Sequence, residues 1–424
     1  MIKVLKCKNE NYLKKVTDFL DKRRSSNLVE AKIVTQILKD IKKNKITGLL
    51  KYEKKFSNNT EIKPRLNQID KSIKSLNPKI KKAIDFAYKR IFKFHSLQKI
   101  NNISYEDKYN NKLEYKNIPI QSIGIYVPAN LPSTLLMNAI PAKIAGVKRI
   151  VLANPKSNGK LNPAVLYAAK KIGIKEIYSM GGAQAIASLT YIQKVNKIVG
   201  PGNIYVAKAK KEVFGDVGIE GMIAGPSEIT VVADNKTNLD EVITSIIGQA
   251  EHDVNSQCIL ITKYNNLIND FKINISSKLK NLPRKKIAYK SLKNNGLIIH
   301  AKNDKQIIDV INEIAPEHLE LNISNHKNRE YIKKNVINSG SICIGQYSPM
   351  SVTDYNVGTN HVLPTFGSAK FSSGLNLNEF YKKISYITLS KKGVEKIGEY
   401  AKHLAEYEEL EGHAQSIRSR IRRK

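Results

Sequence analysis

Three cysteines, Cys7, Cys258 and Cys343, are scattered through 424 residues and form no C-x-x-C pair. An odd count without a framework excludes a disulfide-stapled scaffold and implies a reducing compartment. Cys258 and Cys343 lie in apolar runs and read as small buried hydrophobes rather than nucleophiles. No apolar run approaches the ~20 residues of a membrane-spanning helix. The first residues, Met1-Ile2-Lys3-Val4-Leu5-Lys6, lack the apolar core of a secretory leader, so a cytoplasmic protein is expected. There is no internal repeat and no low-complexity linker. Acidic residues are scarce, 37 against 71 Lys and Arg, which gives a formal net charge of +34. Such a balance raises nucleic acid or an anionic membrane as partners. The lysines are dispersed, however, among many Asn and Ile. This is the pattern of a drifted composition on a solvated surface, and neither partner is expected. The one dense basic run, Arg418 to Lys424, reads as a tail or as a helix end facing its own dipole.

An apolar content of 41% fits a globular chain, and the length exceeds one ordinary core, so two or more domains are expected. Residues 10 to 100 read as helices. Val29, Ile33, Ile37, Leu38 and Ile41 share a helical face, Asn77-Pro78 stops one helix and starts another, and His95 reads as a core or cap residue. From Gln121 onward strands and helices alternate, the mark of a parallel α/β sheet. Two strands in this region run into glycine turns, Gly181-Gly182-Ala183-Gln184 and Gly200-Pro201-Gly202-Asn203. Helix N-termini at such turns offer free N–H groups to a phosphate. Neither turn is G-x-G-x-x-G and no acidic residue follows at the Rossmann distance, so the residues leave a nucleotide site open.

The stretch Gly248-Gln249-Ala250-Glu251-His252 ends a helical run that begins at Leu239. Gln249 and His252 lie three apart and share a helix face. Two such ligands are half of a metal site, or simply a solvated helix end, since zinc needs at least three protein ligands. Glu317-His318 is a natural acid/base pair, or the first turn of a helix. A polar loop from Ser351 to Thr365 carries Asp354 and His361, and the tail from Asn376 reads as helical, with His413 after Glu408 and Glu409.

These segments resemble the histidinol dehydrogenase family along nearly the whole chain. The resemblance is carried by Gly124-Ile125-Tyr126-Val127-Pro128, Leu136 to Ala142, Gly181 to Ala187, Gly200-Pro201-Gly202-Asn203, Ala224-Gly225-Pro226-Ser227-Glu228, Gln249-Ala250-Glu251-His252, Pro316-Glu317-His318-Leu319-Glu320 and Gly358 to Thr365. It implies oxidation of L-histidinol through L-histidinal to L-histidine, with two NAD and one zinc per site, in a homodimer with shared active sites. It implies zinc held by Gln249, His252, Asp354 and His413 of the partner subunit, and Glu317 and His318 as the catalytic pair. Ser227, His361 and Glu408 would join the ligands and the catalytic pair in contacting substrate, and Tyr126, Gln184 and Asn203 would contact NAD. The chain departs from the family pattern in the short loop Ala129-Asn130-Leu131-Pro132-Ser133, in Val254 and Met350, and in Thr353 before Asp354.

The implied fold is α/β, with two Rossmann-like parallel-sheet domains of aldehyde-dehydrogenase type, a helical N-terminal segment and a small helical C-terminal domain. Its expected boundaries are residues 1–120 with 235–375 as a discontinuous α/β domain, 121–234 as an inserted domain on the cofactor side, and 376–424 as a helical dimerisation segment. Two other readings remain: a relative acting on another alcohol, and a basic nucleic-acid-binding protein that has lost catalysis.

Overall fold

The structure is a computed structural model that describes residues 2–8, 10–25, 31–221 and 225–421. Val29 of the expected helical face, Ala224 of the small-residue turn and Arg422 to Lys424 of the basic run lie outside the described residues. The chain divides into two compact units, Met1–Leu97 with Gln121–Glu379, and Gln98–Ile120 with Phe380–Lys424.

The first unit contains two parallel sheets. The five-stranded sheet runs Glu176–Tyr178, Arg149–Ala153, Ser122–Tyr126, Lys197–Val199, Gly218–Ile219. The six-stranded sheet runs Lys3–Lys6, Gly296–His300, Gln257–Thr262, Glu228–Ala233, His318–Asn322, Ser341–Ile344. Its central strands are buried at every position. Parallel strands need crossover connections, and the helices that make them cover the sheet faces, so the strand sequences are close to continuously apolar. One core cluster joins Ile229, Val231, Val242, Ile246, Leu260 and Phe271, and another joins Tyr126, Val151, Ile186, Ile198 and Val206.

The asparagine-rich composition has a structural use. Asn77, Asn162, Asn203, Asn238, Asn303 and Asn325 each cap a helix N-terminus with the side-chain oxygen. Each such cap contributes about 1 kcal/mol, and asparagine does this without adding to the small store of acids.

The second unit is a three-stranded antiparallel sheet, Tyr381–Thr388, Lys112–Pro119, Ile103–Glu106, with the helices Lys391–Tyr407 and Glu411–Ile421. The expected divisions therefore change in three places. The strand Glu228–Ala233 sits at the centre of the six-stranded sheet, so the sheet boundary falls before residue 234. Residues 98–120 group with the C-terminal segment rather than with the N-terminal helices, and that segment begins with a strand. The reason is pairing: Ile103–Glu106 and Tyr381–Thr388 are largely exposed, and backbone bonds to Lys112–Pro119 hold them where no buried apolar pattern announces a strand. The N-terminal region also contributes an unexpected edge strand, Lys3–Lys6, paired with Gly296–His300.

Candidate active site

The amino ends of the central strands of the six-stranded sheet gather most of the candidate residues. Ser227 precedes Glu228–Ala233, and its carbonyl accepts from the Gln257 N–H at 3.0 Å. Glu317 directly precedes His318–Asn322, so it stands at the start of a buried strand and not in a helical first turn. A turn without Cβ makes room for it: a side chain at Gly340 would come within 2.6 Å of the Glu317 carbonyl. Gln249 and His252 sit at the returning end of the helix Leu239–Ala250, where the His252 N–H donates to the Gln249 carbonyl at 3.2 Å.

His318 is buried, its Nδ1 is 3.1 Å from Ser341 Oγ, and its Nε2 faces Glu317 Oε1 at 3.9 Å and Asp354 Oδ1 at 3.7 Å. Burial lowers its pKa to about 3, and the charges of His361 and His252 push the same way. His361 Nδ1 lies 2.6 Å from the Asp354 carbonyl. A carbonyl only accepts, so Nδ1 carries the proton and Nε2 keeps its lone pair. Burial takes His361 down to about 4, so the ring is neutral at neutral pH. Asp354 is driven up to about 7 by burial. Glu317 is pushed well above the usual carboxylate range, first by burial and then by the charges of Glu228 and Asp354, although the Glu228 N–H donates to its Oε2 at 2.7 Å. The loop holding Asp354 and His361 is pinned by Arg90, which donates to the Asn356 and Val357 carbonyls, and by Asn360, which donates to the Met137 carbonyl at 2.7 Å.

Gln249 is the unsatisfied member. Its side chain is buried, and neither Oε1 nor Nε2 has a hydrogen-bond partner. An orphaned buried amide costs about 1–3 kcal/mol per group, a cost that a ligand at Gln249 would relieve. Among the described residues, no three His, Cys, Asp or Glu side chains form a ready metal cage. Gln249, His252 and Asp354 nonetheless supply an amide oxygen, an imidazole and a carboxylate, a donor set that fits a zinc ion once a fourth ligand is added. Cys258 has no part in this: it is buried in its strand, donates to the Ile246 carbonyl, and is raised to about 12 by burial.

The cofactor-side candidates lie at the carboxyl ends of the five-stranded sheet. Tyr126 ends the middle strand, and its hydroxyl accepts from the Gly182 N–H at 3.4 Å. Gln184 is buried and donates to Glu53 Oε1 at 3.0 Å, beside the Gly181 N–H at 2.9 Å. Asn203 is exposed and caps its own helix through the Val206 N–H. A Cβ at Gly200, whose φ is 107°, would lie 2.1 Å from the Tyr126 carbonyl, so only glycine permits this close approach. The chain leaves the middle strand toward one edge of the sheet and returns on its other side at Lys197–Val199, and the crevice beside such a switch is where open α/β sheets take nucleotides.

Glu408 and His413 belong to the second unit. Glu408 follows the helix Lys391–Tyr407, and His413 lies in the first turn of Glu411–Ile421. The residue pattern alone did not single out Glu53, Arg23 or Ser341. Arg23 and Glu53 are single charges in helices rich in lysine, and only their burial sets them apart.

The fold and site together define an α/β enzyme with a buried cluster of titratable groups on one sheet and glycine turns on the other. The sequence model of a family described as histidinol dehydrogenase matches residues 21–421. The histidinol dehydrogenase of Pelagibacter ubique is 56% identical over the full length of both chains. That of Bacillus subtilis is 42% identical over 93% of this chain and 94% of its own. A crystal structure of histidinol dehydrogenase from Elizabethkingia anophelis superposes with a TM-score of 0.88 at 36% identity, covering 99% of this chain and 98% of that one. The chain belongs to the histidinol dehydrogenase family. Its activity is that of an oxidoreductase, the final oxidative step of histidine biosynthesis.

Proposed function

We propose that the enzyme oxidises L-histidinol to L-histidine through L-histidinal with two NAD, on a zinc held by Gln249, His252, Asp354 and His413 of the partner subunit. The observation that carries this reading is the buried, unpaired amide of Gln249, supported by the neutral imidazole of His361 and the raised carboxyl of Asp354. When bound, zinc would serve mainly as a template, fixing the substrate's amine and imidazole. NAD would accept the hydrides, with Tyr126, Gln184 and Asn203 on its side of the site. Gln184 would act through the wall it builds with Glu53 rather than through a free amide.

His318 takes the hydroxyl proton in the first oxidation. The form it needs is the neutral imidazole, which its buried setting favours. In the tautomer that donates from Nδ1 to Ser341 Oγ, Nε2 is the accepting atom. Glu317 takes a proton from water as that water adds to the aldehyde carbon, and its raised pKa makes it a stronger base than an exposed carboxylate. The resulting hydrate loses the second hydride to give the carboxylate. Ser227, His361 and Glu408 contact substrate. The sharing of His413 makes the homodimer the catalytic species, and the cytoplasm is its setting.

The test is the yield of NADH per histidinol with zinc present and again after chelation. Two NADH and a chelation-sensitive rate are expected, while one NADH or indifference to chelation overturns the mechanism. Mixing His413→Ala chains with His318→Ala chains is expected to restore part of the activity in heterodimers. No recovery would place His413 in its own chain's site.

A further inference from the structure

Arg23, near the end of the helix Tyr12–Ser25, is only 8% exposed and is spread over three segments that border the site. Its Nη1 donates to Glu228 Oε1, its Nη2 to the Pro226 carbonyl at 2.6 Å, and its Nε to the Asn255 carbonyl at 2.9 Å. Its guanidinium lies over the Phe366 ring, 4.6 Å from the centroid. Pro226 and Glu228 flank Ser227, Asn255 lies three residues beyond His252, and Phe366 follows the loop that holds His361. The Phe366 N–H donates to the same Glu228 oxygen at 3.0 Å. Glu228 then turns to the chemistry, since its own N–H donates to Glu317 Oε2.

We infer that Arg23 is a positioning residue for the second oxidation, holding Glu228 and the Pro226 and Asn255 turns so that the Glu228 N–H fixes the Glu317 carboxylate. The inference rests on the role given to Glu317 above. Stability alone does not call for such a pair, because apolar replacements of a buried ion pair are often as stable or more so. The network is also selective. Of the catalytic pair it reaches Glu317 by a hydrogen bond, whereas His318 is held by Ser341. A displacement of about 1 Å in a reacting group can cost on the order of 100-fold in rate. Loosening Arg23 should therefore slow the water-dependent step and spare the first.

The experiment uses the zinc-loaded dimer and two substrates. L-Histidinal reports the second oxidation, and the first NADH formed from L-histidinol in rapid mixing reports the first. Arg23→Gln is expected to lower the histidinal kcat by about tenfold or more and the first-NADH rate by less than about threefold. Arg23→Lys keeps a charge on Glu228 but cannot span all three acceptors, and it should show the same imbalance in smaller measure. Arg23→Gln/Glu228→Gln removes the uncompensated charge, and it is expected to regain Tm without regaining histidinal oxidation. Equal losses in both steps, or full recovery of histidinal oxidation in the double variant, would overturn the proposal. A Glu317→Gln control separates the two readings. If it oxidises histidinal normally, the role of Glu317 falls and this proposal with it. If it loses that step while Arg23→Gln slows both equally, only the proposal falls.

Discussion

The two parallel sheets of the first unit present their candidate residues from opposite ends. The five-stranded sheet offers its carboxyl ends, where Tyr126 ends its strand and Gly181 and Gly200 follow theirs. Polar groups there are tied to one another: Glu53 takes the Gly181 N–H and Gln184, Asn154 donates to the Val127 and Pro128 carbonyls, and Lys210 donates to the Gly200 carbonyl. The six-stranded sheet offers its amino ends, where His318 and Glu317 are buried against like charges and Gln249 has no partner. One wall is largely tied up in its own hydrogen bonds. The other holds buried titratable groups and an unpaired amide in a state that a ligand would relieve, and that is the side to which the proposed mechanism assigns the proton transfers.

The contrast breaks first, and most heavily, at the proton-transfer pair. Glu317→Gln and His318→Gln are each expected to lower turnover by roughly 10²–10⁴-fold while leaving the KM for NAD nearly unchanged. Steady-state kinetics with both substrates varied will check this, and a large rise in the KM for NAD would erase the division between the walls.

The hydrogen-bonded wall has its own weak point. Lys210 and Glu220 form a buried ion pair beneath the Gly200 turn. Lys210→Met leaves Glu220 uncompensated and is expected to cost about 3–5 kcal/mol in chemical denaturation. Lys210→Met/Glu220→Leu should recover most of that loss.

Acid sharpens the comparison further. His318, His361 and the buried His95 all have folded pKa values below the unfolded one, because burial disfavours their charged forms. At these three positions the unfolded chain binds protons first as pH falls below about 6.5, so each histidine removes stability in that direction, while the buried carboxyls of Asp354 and Glu317, raised by burial, bind protons first in the folded chain and oppose the loss. Each histidine contributes up to about 1.4 kcal/mol per pH unit until its folded pKa is reached. Comparing the metal-free protein with a His95→Gln variant by denaturation at pH 7.5 and 5.5 isolates one such histidine: the unsubstituted chain should lose stability relative to the variant as pH falls, and equal slopes would contradict it.

The smallest effect has the opposite sign. Gln249→Met replaces an unpaired amide by an apolar side chain of similar length. It is expected to stabilise the metal-free protein by about 1 kcal/mol while weakening zinc binding. A destabilised variant would mean that the amide is already satisfied without metal.

Much of the site is legible in the residues because it is written in short strings. Gln249 to His252 and Glu317-His318 carry their chemistry in adjacent positions, and the glycine turns announce close approaches. Arg23, Glu53 and Ser341 are not legible this way. For Arg23 and Glu53 the roles come from burial and from partners more than 100 residues off, Glu228 and Gly181, and for Ser341 from the pairing of its strand with that of His318. The parallel strands stand out as apolar runs, whereas the strands around Lys112–Pro119 depend on pairing across the chain and carry little periodic signal of their own.

That last pairing bears on how the chain is made. Ile103–Glu106 and Lys112–Pro119 leave the ribosome before residues 121–379, yet the third strand of their sheet follows all of them. The early hairpin exposes Ile103, Tyr105, Leu113 and Tyr115 and must wait with an open edge through most of synthesis. A two-stranded hairpin is marginal in water, and an unpaired edge invites pairing with another chain. The third strand of that sheet, Tyr381–Thr388, follows every strand of both parallel sheets, so the second unit is the last to close and the part of a nascent chain most exposed to misassembly.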